Sequence, residues 1–97
     1  MVIDETRIPV KAEVKAACEI LGLDPLYVAN EGKLVCICAP DAAERLLAVM
    51  QRHPLVREAA IIGEVIADEH GFVQMATAFG GRRIVDWPVG EQLPRIC

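Results

Sequence analysis

Ninety-seven residues, 54% of them hydrophobic and 25% charged, make one domain with a modest core and exclude a disordered chain. Ten basic residues against fourteen acidic ones leave a formal charge of −4, the wrong sign for a surface that grips nucleic acid or anionic lipid nonspecifically. Only Tyr27, Phe72, Phe79 and Trp87 are aromatic, too few for a base-stacking platform, so the core must be aliphatic.

Met1 to Pro9 is mixed in charge and reads as a linker or N-terminal extension, without the basic and apolar regions of a signal peptide. From Val10 the apolar positions Val10, Val14, Ala17, Cys18 and Leu21 recur at helical spacing, while Lys11, Glu13, Lys15 and Glu19 fall off the stripe. Gly22 and then Asp24-Pro25 end it, which predicts a helix over 10–21. Leu26 to Ala29 fits either a short strand or a helical turn, and Asn30-Glu31-Gly32 has turn chemistry. Lys33 to Ala39 is short and apolar on both faces, the pattern of a strand covered on both sides.

Asp41 with Glu44 three residues on resembles a capping box, and Ala43, Leu46, Leu47 and Met50 form a second stripe that His53-Pro54 stops. A second helix is therefore predicted over 41–52. Ala59 to Ala67, Phe72 to Phe79 and Arg82 to Trp87 read as strands. A polar turn at Asp68 to Gly71 joins the first two, and Gly80-Gly81 suits a two-residue hairpin turn. The expected fold is α+β: helix, strand, helix, then a three-stranded antiparallel meander, with helices layered on one sheet. The domain spans 10–87, and 88–97 is expected to be a flexible tail. No apolar run approaches the ~18 residues a membrane helix needs, so the cytoplasm is the expected location and no membrane partner is expected.

Few residues carry chemistry on their own evidence. Cys36 and Cys38 share one face of the predicted strand, about 7 Å apart, but their spacing is not a zinc knuckle. With Cys18 they read as buried reduced thiols, and no metal is expected. His53 stands at a helix C-terminus, where an imidazolium favours the macrodipole, and His70 stands in a turn. Neither has a nucleophile beside it in sequence. Cys97 differs, because a thiol on ten residues without periodicity sweeps roughly 35 Å from its anchor. That arrangement suits a swinging carrier, and a chance terminal cysteine is the plain alternative.

The stretch Ala17-Cys18-Glu19-Ile20-Leu21-Gly22-Leu23-Asp24-Pro25-Leu26-Tyr27-Val28-Ala29-Asn30-Glu31-Gly32-Lys33 resembles the hallmark of the C-terminal domain in the NiFe-hydrogenase maturation family HypE. The ending Pro94-Arg95-Ile96-Cys97 resembles that family's C-terminal signature, and Gly63-Glu64-Val65 and Gly80-Gly81-Arg82-Arg83 fit its pattern. The resemblance covers Pro9 to Cys97. It implies a layered fold like the C-terminal domain of aminoimidazole ribonucleotide synthetase. It also implies an ATP-dependent carbamoyl dehydratase in which Cys97 receives a carbamoyl group from the carbamoyltransferase HypF. Dehydration of that S-carboxamide gives a thiocyanate, whose cyanide passes to iron on the HypC–HypD complex.

The resemblance assigns Glu31 as the general base on the carboxamide nitrogen, with Asn30 orienting the carboxamide or the loop. ATP and magnesium are expected to bind mainly an N-terminal half that this chain lacks, and the full-length protein is expected to be a homodimer. The chain alone is expected to be inactive. The alternative reading is a stand-alone interaction or regulatory module in which Cys97 is incidental.

Overall fold

The structure, a computed structural model, describes residues 1–86. The expected tail over 88–97, including Cys97, lies outside the described residues. The chain divides into two compact units, one built from Met1–Pro9 with Cys36–Asp86 and the other containing Val10–Val35.

In the second unit the apolar stripe folds as predicted into a helix, α1, over Ala12–Leu21. It begins two residues later than the periodicity suggests. Lys11, still extended, occupies the cap position without a side-chain bond to the helix, because an ammonium has no acceptor to offer. The C-cap is Gly22 at φ 68°, whose N–H bonds the Cys18 carbonyl, as does that of Leu23 at 2.8 Å. Cys18 is the buried member of the stripe.

The first unit holds a helix, α2, over Pro40–Gln51 and a four-stranded sheet. The helix starts at Pro40, with Ala39 as its cap, so the expected Asp41–Glu44 capping box does not form. Proline's fixed φ and missing N–H suit the first helical position, which moves Asp41 into the first turn, where its charge still favours the macrodipole. At the far end His53 Nδ1 accepts from the Leu55 N–H at 3.2 Å. Gln51 donates from Nε2 to the Ala59 carbonyl at 2.9 Å and so ties α2 to the segment entering the sheet.

The sheet comprises β1, Val2–Asp4, β2, Gly63–Glu64, β3, Gln74–Ala76, and β4, Arg82–Ile84, in the order β2-β1-β3-β4. The α+β class holds, but three expectations within it are corrected. The first concerns Met1–Pro9. Read as a linker or N-terminal extension outside the domain, it supplies the inner strand β1, parallel to β3 and antiparallel to β2. The second is the meander, because β1 lies between β2 and β3 and only β3 and β4 form a hairpin. Their loop is Thr77 to Gly81 rather than a Gly80-Gly81 pair. It is closed by the Thr77 N–H on the Gly81 carbonyl at 2.8 Å.

The third correction is Lys33 to Ala39. This segment joins no strand pair among the described residues, and Leu34, Val35 and Ile37 are 67%, 74% and 67% exposed. Cys36 and Cys38, expected to be buried, are exposed. An apolar, two-faced sequence records a preference for cover, and a strand forms only where a neighbour supplies ladder bonds and surface.

Register sorts the sheet's side chains. Gly63, Ile3, Met75 and Arg83 are paired across it and share one face, with Met75 only 1% exposed. Glu64, Val2, Gln74 and Ile84 share the other. The polar turn before β3 forms as expected. The Asp68 carboxylate accepts from the N–H groups of His70 at 3.2 Å and Phe72 at 2.8 Å, and the His70 and Phe72 rings stack at 5.1 Å. No helix among the described residues is long and apolar enough to cross a membrane.

Candidate functional site: the Asn30-Glu31-Gly32 loop

The loop after α1 is built from short-range bonds. Asp24 accepts from the Leu26 N–H through its side chain at 3.0 Å, and its carbonyl accepts from the Tyr27 N–H at 2.9 Å. These bonds resolve the ambiguous Leu26–Ala29 stretch in favour of a turn, since a side chain that bonds its own neighbouring backbone competes with ladder formation. Two residues further on, the Asn30 carboxamide donates from Nδ2 to the Val28 carbonyl at 2.8 Å. Val28 also lines a wholly local, apolar hollow of about 310 Å³ with Val14, Ala17, Cys18, Leu21 and Leu23. The base of the loop therefore grows out of the apolar face of α1.

Glu31 follows Asn30 and is exposed, so its carboxylate is open to a reactant brought to it. Gly32 comes next with φ 76°, in the left-handed region. The Asn30 side chain thus bonds within the loop itself. A carbonyl only accepts, so the amide nitrogen of Asn30 must face Val28. Turn chemistry in the sequence, where Asn and Gly both tolerate positive φ, anticipates such a conformation, and the structure puts it at Gly32 rather than Asn30.

Cys97 lies outside the described residues, so its distance to Glu31 does not enter this geometry. Of the other cysteines, Cys18 is buried beneath the hollow, and Cys36 and Cys38 are exposed on the extended segment. Among the described residues no three His, Cys, Asp or Glu side chains converge as metal ligands.

Residues 1–76 match the family model described as AIR synthase related protein, C-terminal domain, a span that includes β1. The chain belongs to that family. Within it, the chain is 70% identical over 93 residues to the carbamoyl dehydratase HypE of Azotobacter vinelandii, covering 96% of this chain and 27% of that protein. It is 69% identical over all 97 residues to the carbamoyl dehydratase HypE of Cupriavidus necator, covering 28% of it.

Solved structures agree. Escherichia coli HypE superposes with a TM-score of 0.87 at 48% identity, over 99% of this chain and 30% of that one. HypE in complex with ATP gives 0.86 at 46%, over 99% and 30%. The HypE–HypF complex gives 0.81 at 45%, over 90% and 28%. The chain thus spans little more than a quarter of the curated relatives it matches.

Proposed function

We propose that this chain is the part of an ATP-dependent carbamoyl dehydratase of hydrogenase maturation that carries the reacting thiol, Cys97, and the general base, Glu31. The observation that carries the reading is the match to the Cupriavidus necator carbamoyl dehydratase over all 97 residues, a span that includes both positions. HypE has been solved with ATP and with HypF, which supports ATP as co-substrate and HypF as the partner that loads the thiol.

The chemistry asks little of this chain's own groups, but it asks for the right ones. The Cys97 thiolate, its proton lost to solvent, attacks the carbonyl carbon of an activated carbamoyl group, the activating group leaves with its bonding electron pair, and the sulfur becomes an S-carboxamide. The carboxamide oxygen then takes the terminal phosphoryl group of ATP, releasing ADP. Glu31 withdraws a proton from the nitrogen as the carbon–nitrogen multiple bond forms and the phosphorylated oxygen departs as phosphate. One ATP and one carboxamide become one thiocyanate, ADP, phosphate and a proton. Sulfur suits both ends of the sequence, as a nucleophile for loading and as a leaving group when cyanide passes to iron on HypC–HypD.

Among the described residues no His, Cys, Asp or Glu cluster is arranged to hold magnesium, which is expected to enter with ATP on the longer protein. ATP binding and the homodimer belong to the longer protein, and the isolated chain is expected to consume no ATP.

The test is intact mass of the chain after incubation with the HypF carbamoyltransferase system, ATP and the remaining portion of a carbamoyl dehydratase. The expected result is gain of one carbamoyl group followed by loss of one water, both abolished in Cys97→Ala. Glu31→Gln should stop at the carboxamide. Conversion that persists in Cys97→Ala removes Cys97 from its role, and thiocyanate that accumulates in Glu31→Gln removes Glu31.

A further inference from the structure

We propose that Gly32 is a positioning residue for the Glu31 carboxylate, acting through its left-handed backbone. The inference rests on the reading of Glu31 as base and adds to it the device that aims that base.

Two constraints flank Glu31. On one side the Asn30 carboxamide is held by the Val28 carbonyl at 2.8 Å, and Val28 is itself part of the wall continuous with α1. On the other side Gly32 takes φ 76°, while Glu31 itself stays in the ordinary negative-φ range, as does every other non-glycine described. The backbone around Glu31 sets where its Cα–Cβ bond starts and so the volume its carboxylate can sample through its own torsions. A loop with only one constraint would let the carboxylate swing with the free side.

Space does not explain the glycine. Beyond the two adjoining residues, no described atom lies within 4 Å of the place a Cβ on Gly32 would occupy, so a methyl group would meet open space. Gly63 is the contrast, since there a Cβ would collide with backbone. What position 32 requires is the conformation, which an L-residue adopts at a cost and glycine does not. A general base works only within hydrogen-bond reach of the proton it takes, so a change of φ that displaces the carboxylate by about an ångström should be felt in rate.

The experiment separates conformation from bulk by comparing Gly32→Ala with the same position carrying D-alanine, introduced by semisynthesis. Conversion of the Cys97 carboxamide to thiocyanate is followed by intact mass in the reconstituted system, with Glu31→Gln in parallel. Gly32→Ala should slow conversion by about 5- to 30-fold, the population cost of holding an L-residue left-handed. The D enantiomer, which favours positive φ, should restore most of the rate. The pH dependence of the residual rate should be unchanged in Gly32→Ala, because the same base still operates.

A wild-type rate in Gly32→Ala overturns the proposal. Equal slowing by both enantiomers also overturns it, because bulk rather than backbone would then be at fault. Failure of the base reading is seen separately, as conversion that persists in Glu31→Gln.

Discussion

Ile3 and Gly63 face each other across the β1–β2 pair so closely that a Cβ on Gly63 would come within 2.9 Å of the Ile3 Cα and would overlap the Val2 carbonyl oxygen. All the atoms met are backbone, so nothing can rotate away, and relief requires the strands to part. Gly63→Ala should therefore cost about 1–3 kcal/mol, the range of an overpacked site. Urea denaturation of the full chain should register this as a lower midpoint. A midpoint equal to wild type would mean that β1 and β2 do not pair as described.

Met75 makes the complementary prediction. It is paired with Ile3 on one side and Arg83 on the other, and at 1% exposure it is the largest fully buried side chain among the described residues. Truncation leaves a cavity as well as losing buried area, so Met75→Ala should cost about 2–5 kcal/mol. Met75→Leu conserves volume and should cost less than about 1.5 kcal/mol. Since whole domains are stable by only about 5–15 kcal/mol, the first should lower the midpoint visibly and the second barely. Equal effects would contradict a packed position.

How much of this was legible in the sequence depended on the range of the interaction that forms each element. Both helices could be read because their stripe, the C-cap at Gly22 and the stop at His53-Pro54 lie within one element's length. The strand β1 could not, because Val2–Asp4 is three residues long and both its partners lie some sixty or more residues away. Lys33 to Ala39 failed in the opposite sense, having the composition of a buried strand without a neighbour to pair with. The site was legible in part. Resemblance, not periodicity, singled out Glu31 and Asn30, and turn chemistry marked Gly32. The bond from Asn30 to Val28 joins residues only two apart, and turn chemistry allowed a positive φ at either Asn30 or Gly32; which of the two takes it appears only in the folded loop.

Asp4 provides a pH test of the turn that follows β1. Its carboxylate accepts from the Thr6 hydroxyl at 2.6 Å and the Thr6 N–H at 2.9 Å, and Arg7 lies at 3.6 Å. The Thr6 hydroxyl, then the Thr6 N–H and last Arg7 hold the carboxyl below its ordinary range, outweighing a small opposing effect of desolvation. A depressed folded value means that the contribution to stability is present above the unfolded pKa of about 3.9 and is lost as pH falls through the folded value. Carbon-detected titration should find Asp4 ionised below the usual range in the wild type and shifted upward in Thr6→Val. An unchanged titration in that variant would remove the hydroxyl as the main cause.

The three described thiols should separate cleanly by reactivity. Cys18, on the inner face of α1, is 6% exposed, whereas Cys36 and Cys38 are exposed on the unpaired segment. Alkylation requires the thiolate and open access to the sulfur. Iodoacetamide under native conditions should therefore label Cys36 and Cys38 rapidly, and peptide mapping should find Cys18 unmodified over the same interval. Adding denaturant should bring Cys18 to the rate of the other two, since its protection measures the free energy of exposing the inner face of α1. Native labelling of Cys18 as fast as Cys36 would contradict the packing of α1. Slow labelling of Cys36 and Cys38 would mean that the Lys33–Ala39 segment is covered in solution, by a second copy of the chain or by another surface, because its own described neighbours do not shield it.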